Sequence, residues 1–340
     1  MSKTRIVLIG PMPPPNGGVS THLSRLLKRS QSEKDLQLSV IDLRRFRVHR
    51  TSDSSQNPFT LIRTFLLADV FHFHLSRNLK LWLIKIARSF GKKIIYTHHN
   101  SRNLKDPVTL MTMRISHQVI LVRPLQDALP EDIQNRIHVI PAYLPSSTKS
   151  TIPSELKERI GDRKIIFAHC YQKKGETLLV DGKDLYGFDI ILDAFEIMHR
   201  DKFPPGYILI LADPADGMKE MYKERIDELV KNYNMSVIYW NKELDFSAAL
   251  DHCALVIRAT RSDGDAVSIR EALQAGVPVI ASNCVERPHG VISFVSGDSF
   301  SLSSALAKHF ESPGNRIFSQ TDYAPQIFRI YRSLSNTVEK

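Results

Sequence analysis

The feature that most constrains this chain is a rhythm: an apolar run, a segment long enough for a helix, then another apolar run. In the first half the runs are RIVLIG (5–10), LSVIDL (38–43), VFHFHL (70–75), KIIYTHH (93–99), QVILVR (118–123) and IHVIPA (137–142). Helical patterns such as VSTHLSRLLKRS (19–30) and RNLKLWLIKIARSF (77–90) lie between them. Strands joined by helix-length connections pair parallel, through crossovers, in a doubly wound sheet.

Around 144–164 the rhythm breaks into LPSSTKSTIPSELKERIGDRK, rich in Pro, Ser, Thr and charge, which reads as a linker. It then resumes with strands at 164–170, 207–213, 236–240, 254–260 and 278–282 and helices at 188–200, 218–233, 246–253 and 268–276. The expectation is two Rossmann-like α/β domains, 1–147 and 148–323, with functional loops at the strands' carboxyl ends facing a central cleft. The last helix, 324–338, is expected to pack back on the first domain.

Composition narrows the setting. Residues 1–150 carry 23 Lys and Arg against 9 Asp and Glu, a net of +14, and the remainder of the +10 chain nets −4. That asymmetry points the first half at something anionic, such as lipid headgroups or a lipid-linked phosphate, unless the cations only solvate surface helices. No helix-turn-helix, finger or RNA-binding aromatic pattern supports nucleic acid. Three scattered cysteines, 170, 253 and 284, fit a reducing compartment. The apolar run at the N-terminus is too short for a signal-peptide core, and no run of membrane-spanning length follows. A cytoplasmic protein is expected, with peripheral attachment to the membrane's inner face as an option.

The segment RATRSDGDAVSIREALQAGVPVIAS (258–282) carries the most chemistry. A strand ends near Ala259, a polar turn holds Asp263, Gly264 and Asp265, and a helix begins near Ala266 to Ser268. Unpaired N–H groups and the dipole at such a helix start suit a diphosphate, and Ser268 adds a hydroxyl. Glu271, one turn in, suits vicinal ribose hydroxyls. The competing reading is an acidic residue that merely caps a helix.

An acidic residue, seven residues, Glu-Ala and then Gly-x-Pro-Val-Ile-Ala-Ser resembles the E-x7-E segment of glycosyltransferase family 4, a large retaining family of the GT-B fold. The resemblance implies that Asp263, one methylene shorter than the usual Glu, meets the donor sugar. It implies that Glu271 holds the ribose and that amides near Ala266 and Val267 meet the diphosphate. Asn16-Gly17-Gly18 after the first strand is similar to the family's glycine-rich loop, where two missing Cβ atoms let backbone approach phosphate. ADVFHFHLS and YTHHN resemble two histidine motifs of the family. On that match His99 is the active-site histidine, with His72, His74 and His98 on the acceptor side. A zinc site made from His72, His74 and His98 or His99 is the metal alternative; the resemblance implies the same residues without metal.

The second half departs from the family at Gly-Arg and Lys-Gly, whose cations face the leaving diphosphate. Tyr186-Gly187 stands where Lys-Gly is expected, and the Arg position falls near His169 to Gln172. Arg261 and Lys183 are the expected replacements, ahead of Arg258, unless they form surface ion pairs. The role of Glu286-Arg287-Pro288-His289-Gly290 is open. The cations of the 77–93 segment (Lys80, Lys85, Arg88, Lys92, Lys93) surround an apolar Trp82 face and suit anionic lipid or plain solvent.

The expected function is metal-independent, retaining transfer of a sugar from a nucleotide sugar, UDP- or GDP-linked, to a glycan or lipid-linked acceptor. No further cofactor is needed, and bacterial surface polysaccharide or lipopolysaccharide synthesis is the expected pathway. A non-catalytic GT-B-like binding subunit and a nucleotide-sugar epimerase are the rivals.

Overall fold

The computed structural model describes residues 3–14, 17–75, 79–99, 104, 106–124, 129–145, 151–170, 178–199, 206–233, 236–312 and 322–335. Asn16, Gln172, the boundary at 147 and the tail of the last predicted helix therefore lie outside the described residues. Two compact units are present, Met1–Pro145 with Gly264–Val267 and Thr321–Lys340, and Ser146–Asp263 with Ser268–Gln320.

The first unit is built from β1 (Thr4–Ile9), α1 (Gly18–Arg29), β2 (Leu36–Asp42), β3 (Arg47–His49), β4 (Ser54–Ser55), α2 (Pro58–Leu67), β5 (Val70–Phe73), α3 (Leu79–Ser89), β6 (Lys93–His98), α4 (Pro107–Ile115), β7 (Gln118–Leu121), α5 (Glu131–Gln134) and β8 (Ile137–Val139). Its sheet runs β4-β3-β2-β1-β5-β6-β7-β8. From β2 to β8 all pairs are parallel, and β3 and β4 add an antiparallel edge. Strand alternation sorts side chains between two cores. Ile6, Leu8, Val70 and Ile95 pack with α1 and the C-terminal helix, while Val7, Ile9, Phe71, Phe73, Ile94 and Tyr96 pack beneath α3 and α4. The C-terminal helix over Ala324–Ser335 buries Ala324, Ile327, Phe328, Ile330, Tyr331 and Leu334 against the first core. Arg332 adds ion pairs to Glu33 and Asp35.

The second unit holds α6 (Ser154–Ile160), β9 (Lys164–His169), β10 (Leu179–Val180), β11 (Lys183–Asp184), α7 (Phe188–His199), β12 (Tyr207–Ala212), α8 (Lys219–Tyr233), β13 (Val237–Trp240), α9 (Phe246–Leu250), β14 (Cys253–Arg258), α10 (Val267–Gln274) from Ser268 onward, β15 (Val279–Ser282), β16 (Val291–Phe294) and α11 (Ser299–Glu311). The C-terminal helix is α12. The main sheet, β13-β12-β9-β14-β15-β16, is parallel throughout. Its strands are near-continuous apolar runs because helices cover both faces.

Strand order fixes where function can sit. The winding reverses between β1 and β5 in the first sheet and between β9 and β14 in the second. Loops diverge at those two points, and in open sheets of this kind ligands bind there, at the strands' carboxyl ends.

Candidate functional site

In the first unit, the switch point is reached by Gly10, just after β1, and by His74, just after β5. A Cβ on Gly10 would stand 2.6 Å from Leu23 Cδ1 and 3.1 Å from His74 Cβ, so a larger residue here would have to displace the Leu23 side chain. The loop beyond is held from below. Asp42 accepts from the Met12 N–H at 3.0 Å, Arg44 donates to the Met12 carbonyl at 2.8 Å, and Arg45 reaches the carbonyls of Pro13 and Pro14. Gly17 then caps α1, its N–H bonded to Ser20 Oγ at 2.8 Å, and Gly18 has open space around its missing Cβ.

Above this loop the structure brings together four histidines. His72 and His74 lie on the same strand face, ring centroids 4.0 Å apart, and His74 Nδ1 lies 2.8 Å from His99 Nε2. His22, from α1, stands 5.5 Å from both His74 and His99 and donates from Nδ1 to the Ala142 carbonyl at 2.6 Å. His72 is fixed by the Tyr331 hydroxyl at 2.8 Å and Thr97 Oγ1 at 2.6 Å. His98 is elsewhere. One residue from His99 on an alternating strand, it faces the opposite core and meets the Tyr96 hydroxyl at 3.0 Å. Among the described residues no group of three His, Cys, Asp or Glu side chains is placed to hold a metal.

Burial pushes the whole cluster toward neutrality, His22 down to about 4 and His72, His74 and His99 well below the ordinary imidazole value. Buried His74 Nε2 has no hydrogen-bond partner among the described residues. An orphaned N–H costs more than an orphaned lone pair, so the His74 proton belongs on Nδ1. His99 Nε2 then accepts, and neutral His99 carries its own proton on Nδ1, as a donor.

In the second unit the switch point lies between His169 and the end of β14. His169 stacks against Phe167 and Phe246, at 6.0 and 4.9 Å between centroids. Burial, with Arg258 nearby, lowers its pKa to about 3. The loop after β14 is organised by Asp263. Its Oδ2 accepts from Arg258 Nε at 3.0 Å, Arg287 Nη1 at 3.0 Å and Thr260 Oγ1 at 3.1 Å, and its Oδ1 accepts from Arg258 Nη2 at 3.1 Å. Burial alone would raise its pKa; the two guanidiniums overcome that and hold it below the ordinary carboxylate range. Arg287 also donates to the Ser282 carbonyl at 2.8 Å, tying the loop after β15 to the loop after β14. This is the place of the Glu286–Gly290 segment, whose role is open in the sequence, and its Arg287 joins Arg258 on Asp263.

Ala266 ends the following turn, Val267 opens α10, Ser268 is buried in its first turn and Glu271 is half-buried one turn on. Arg261 is committed to the α7 side: both its Nη atoms meet Asp189, at 3.0 and 2.6 Å, and Nη1 also meets the Asp184 carbonyl. Lys183 is exposed on a hairpin whose turn residues Asp181 and Gly182 both have positive φ, 50° and 73°. Gly187 fills the Lys-Gly position with a packing role. Its φ is +71° and a Cβ would sit 2.2 Å from the Ala259 carbonyl oxygen, so glycine alone lets α7 start against the end of β14. Lys80, grouped above with lipid-facing cations, is buried and donates to Thr109 Oγ1 at 2.9 Å and the Tyr96 hydroxyl at 3.3 Å, because its position on α3 faces the sheet.

No family model matches the chain, and no curated protein matches it in sequence. Solved structures do match. The chain is similar to HepE from Anabaena, solved with UDP and glucose, at 16% identity and a TM-score of 0.62, over 98% of this chain and 99% of that one. It is similar to sucrose-phosphate synthase from Thermosynechococcus elongatus at 16% identity and a TM-score of 0.66, over 98% and 100%. It is also similar to a UDP-GlcNAc 2-epimerase from Methanocaldococcus jannaschii at 15% identity and a TM-score of 0.58, over 97% and 99%. The fold is GT-B, with two Rossmann-like α/β domains.

Proposed function

We propose that this protein is a retaining glycosyltransferase that moves a sugar from a nucleotide sugar to a glycan or lipid-linked acceptor. The observation that carries the reading is the connection from β14 to α10. At the switch point of a GT-B domain, a buried ionised carboxylate is followed directly by a helix whose first turns carry Ser268 and Glu271. HepE, of the same fold, is solved with UDP-glucose, which favours a uridine diphosphate donor.

In this reading Glu271 takes the ribose hydroxyls, and the α10 amides with the Ser268 hydroxyl take the diphosphate. Gly17 and Gly18 admit phosphate to the backbone of the first unit. Asp263, held by Arg258 and Arg287, shapes the sugar end of the site. A carboxylate so engaged is a weak nucleophile, which supports same-face attack with no covalent sugar–enzyme intermediate. His99 is too weak a base to take the acceptor's proton; its Nδ1–H donates to a sugar or acceptor oxygen, and the departing phosphate takes the proton. Lys183 is the cation on hand for that phosphate. Arg261 holds the β14–α10 connection on α7. The reaction needs no divalent metal, and bacterial surface polysaccharide or lipopolysaccharide synthesis is the proposed setting.

Incubation with UDP- and GDP-sugars, followed by NMR, tests this. Release of nucleoside diphosphate with the donor's anomeric configuration kept in the product is expected. Accumulation of an epimeric nucleotide sugar without release would establish the epimerase reading instead. Binding without either product would make the chain a binding subunit.

A further inference from the structure

The outer layer of the first unit carries apolar side chains that no part of the described chain covers. On α2 no residue is buried, and Phe59, Ile62 and Leu66 form a stripe 81%, 54% and 50% exposed. On α3 and just beyond it, Leu79, Trp82, Ile86 and Phe90 form a second stripe, 54%, 67%, 45% and 56% exposed. The two stripes are neighbours. Phe65 of α2 packs edge-on against Phe90 with centroids 6.0 Å apart, and Lys92 Nζ donates to the Leu66 carbonyl at 2.7 Å. A soluble domain rarely leaves so many large apolar groups contiguous unless something binds them.

Charge identifies what binds. Between Asp53 and Asp106 the sequence has nine Lys and Arg, of which Lys80 is buried, and a single carboxylate, Asp69, which Arg5 engages at 2.8 Å through its backbone N–H and through its guanidinium. Arg63 and Lys85 are exposed within the stripes, and the Lys85 ammonium rests 5.7 Å from the centre of the Trp82 ring. A second copy of this face would set cations against cations, whereas an anionic bilayer answers both features at once. Apolar side chains enter the acyl boundary, the indole sits at the headgroup level and the cations meet phosphates.

We propose that α2 and α3 together form a monotopic membrane-docking face specific for anionic lipid, with Phe59, Ile62, Trp82 and Ile86 as the inserted residues and Arg63 and Lys85 as headgroup contacts. The proposal stands on this surface alone and survives any failure of the transferase reading.

Vesicle co-sedimentation with phosphatidylcholine alone, and with equal parts phosphatidylcholine and phosphatidylglycerol, tests it. The protein should bind the mixed vesicles and not the neutral ones, and salt should weaken the binding. Trp240 is only 2% exposed, so any shift of tryptophan emission to the blue on binding reports Trp82. Each cation near such a surface is worth about a fivefold change in partitioning, so Arg63→Ala with Lys85→Ala should lose roughly 25-fold. Phe59→Ser with Ile62→Ser should lose binding while the melting temperature holds. Equal binding to neutral vesicles, or unchanged binding by both double variants, would overturn the proposal. So would a lipid-free dimer that Phe59→Ser with Ile62→Ser converts to monomer, since that outcome makes the face a self-interface.

Discussion

Replacing Asp263 with Asn keeps the side chain's shape and removes a charge that pairs with two guanidiniums. The side chains of Asp263, Arg258 and Arg287 are 8%, 13% and 4% exposed, so solvent screens this cluster little. Taking one partner out of a buried ion pair costs about 3–5 kcal/mol, chiefly because the remaining charge is stranded. Here two are stranded, and the neutral amide can still accept at only one atom. For a domain of this size that energy lowers the melting temperature by roughly 6–20 °C. Calorimetry with urea titration measures it. Inorganic phosphate should recover part of the loss in Asp263→Asn and little in the wild type, because only the variant offers two uncompensated guanidiniums. Acid titration gives a second reading. The folded pKa lies below the ordinary value of 3.8, so this stability is fully present above pH 3.8 and is lost as the pH falls toward the folded value. In Asp263→Asn that acid-dependent loss should vanish. A variant within about 1 kcal/mol of wild type at pH 7 would refute the claim that this carboxylate holds Arg258 and Arg287.

Other consequences are as direct. Gly187→Ala places a Cβ against the Ala259 carbonyl at a positive φ and should cost about 2–5 kcal/mol by denaturation, overpacking and backbone strain together. Arg261→Ala frees Asp189 and should lower stability by about 1–3 kcal/mol, with turnover falling in step; normal stability with lost turnover would return Arg261 to the phosphate. His22 has its folded pKa near 4 against 6.5 unfolded, so its contribution is complete above pH 6.5 and is lost as the pH falls toward 4. Between pH 7 and pH 5 that amounts to about 2 kcal/mol, and His22→Gln should remove that share of the urea midpoint shift while the other buried histidines keep theirs.

The parallel sheets were legible because buried strands read as Ile, Val and Leu runs, and LVIR or LILA at that spacing admits few other folds. α2 was not, because PFTLIRTFLL is apolar all round and shows no clean face. The structure explains why: one side meets the sheet and the other meets none of the described residues. α6 was hidden in a segment whose Pro and Ser content read as linker, although SELKERI is itself helical. The hairpin of β10 and β11 has its turn signal in Asp181-Gly182, between strands of two residues each that are too short to show an apolar pattern. In the candidate site, Asp263, Glu271, His72, His74 and His99 stand out in the sequence by type and spacing. The parity of His98 and His99 is readable from strand alternation, which sends neighbouring side chains to opposite faces and separates His98 from His72 and His74. Arg287 and His22 could not be found that way, since only strand order brings the loop after β15 to Asp263 and the first helix to His74. Sequence reading also treated Arg258 and Arg261 as available cations, whereas folding commits both to carboxylates.

The central claim is that the β14–α10 connection holds a nucleotide sugar, and Glu271 isolates it. Titration calorimetry of UDP- and GDP-sugars should show binding to the wild type and at least about tenfold weaker binding to Glu271→Ala, a loss of roughly 1.4 kcal/mol. The variant, altered at a half-buried position, should melt near the wild-type temperature. Absence of binding by every nucleotide sugar at millimolar concentration, or equal affinity in the two proteins, would contradict the account.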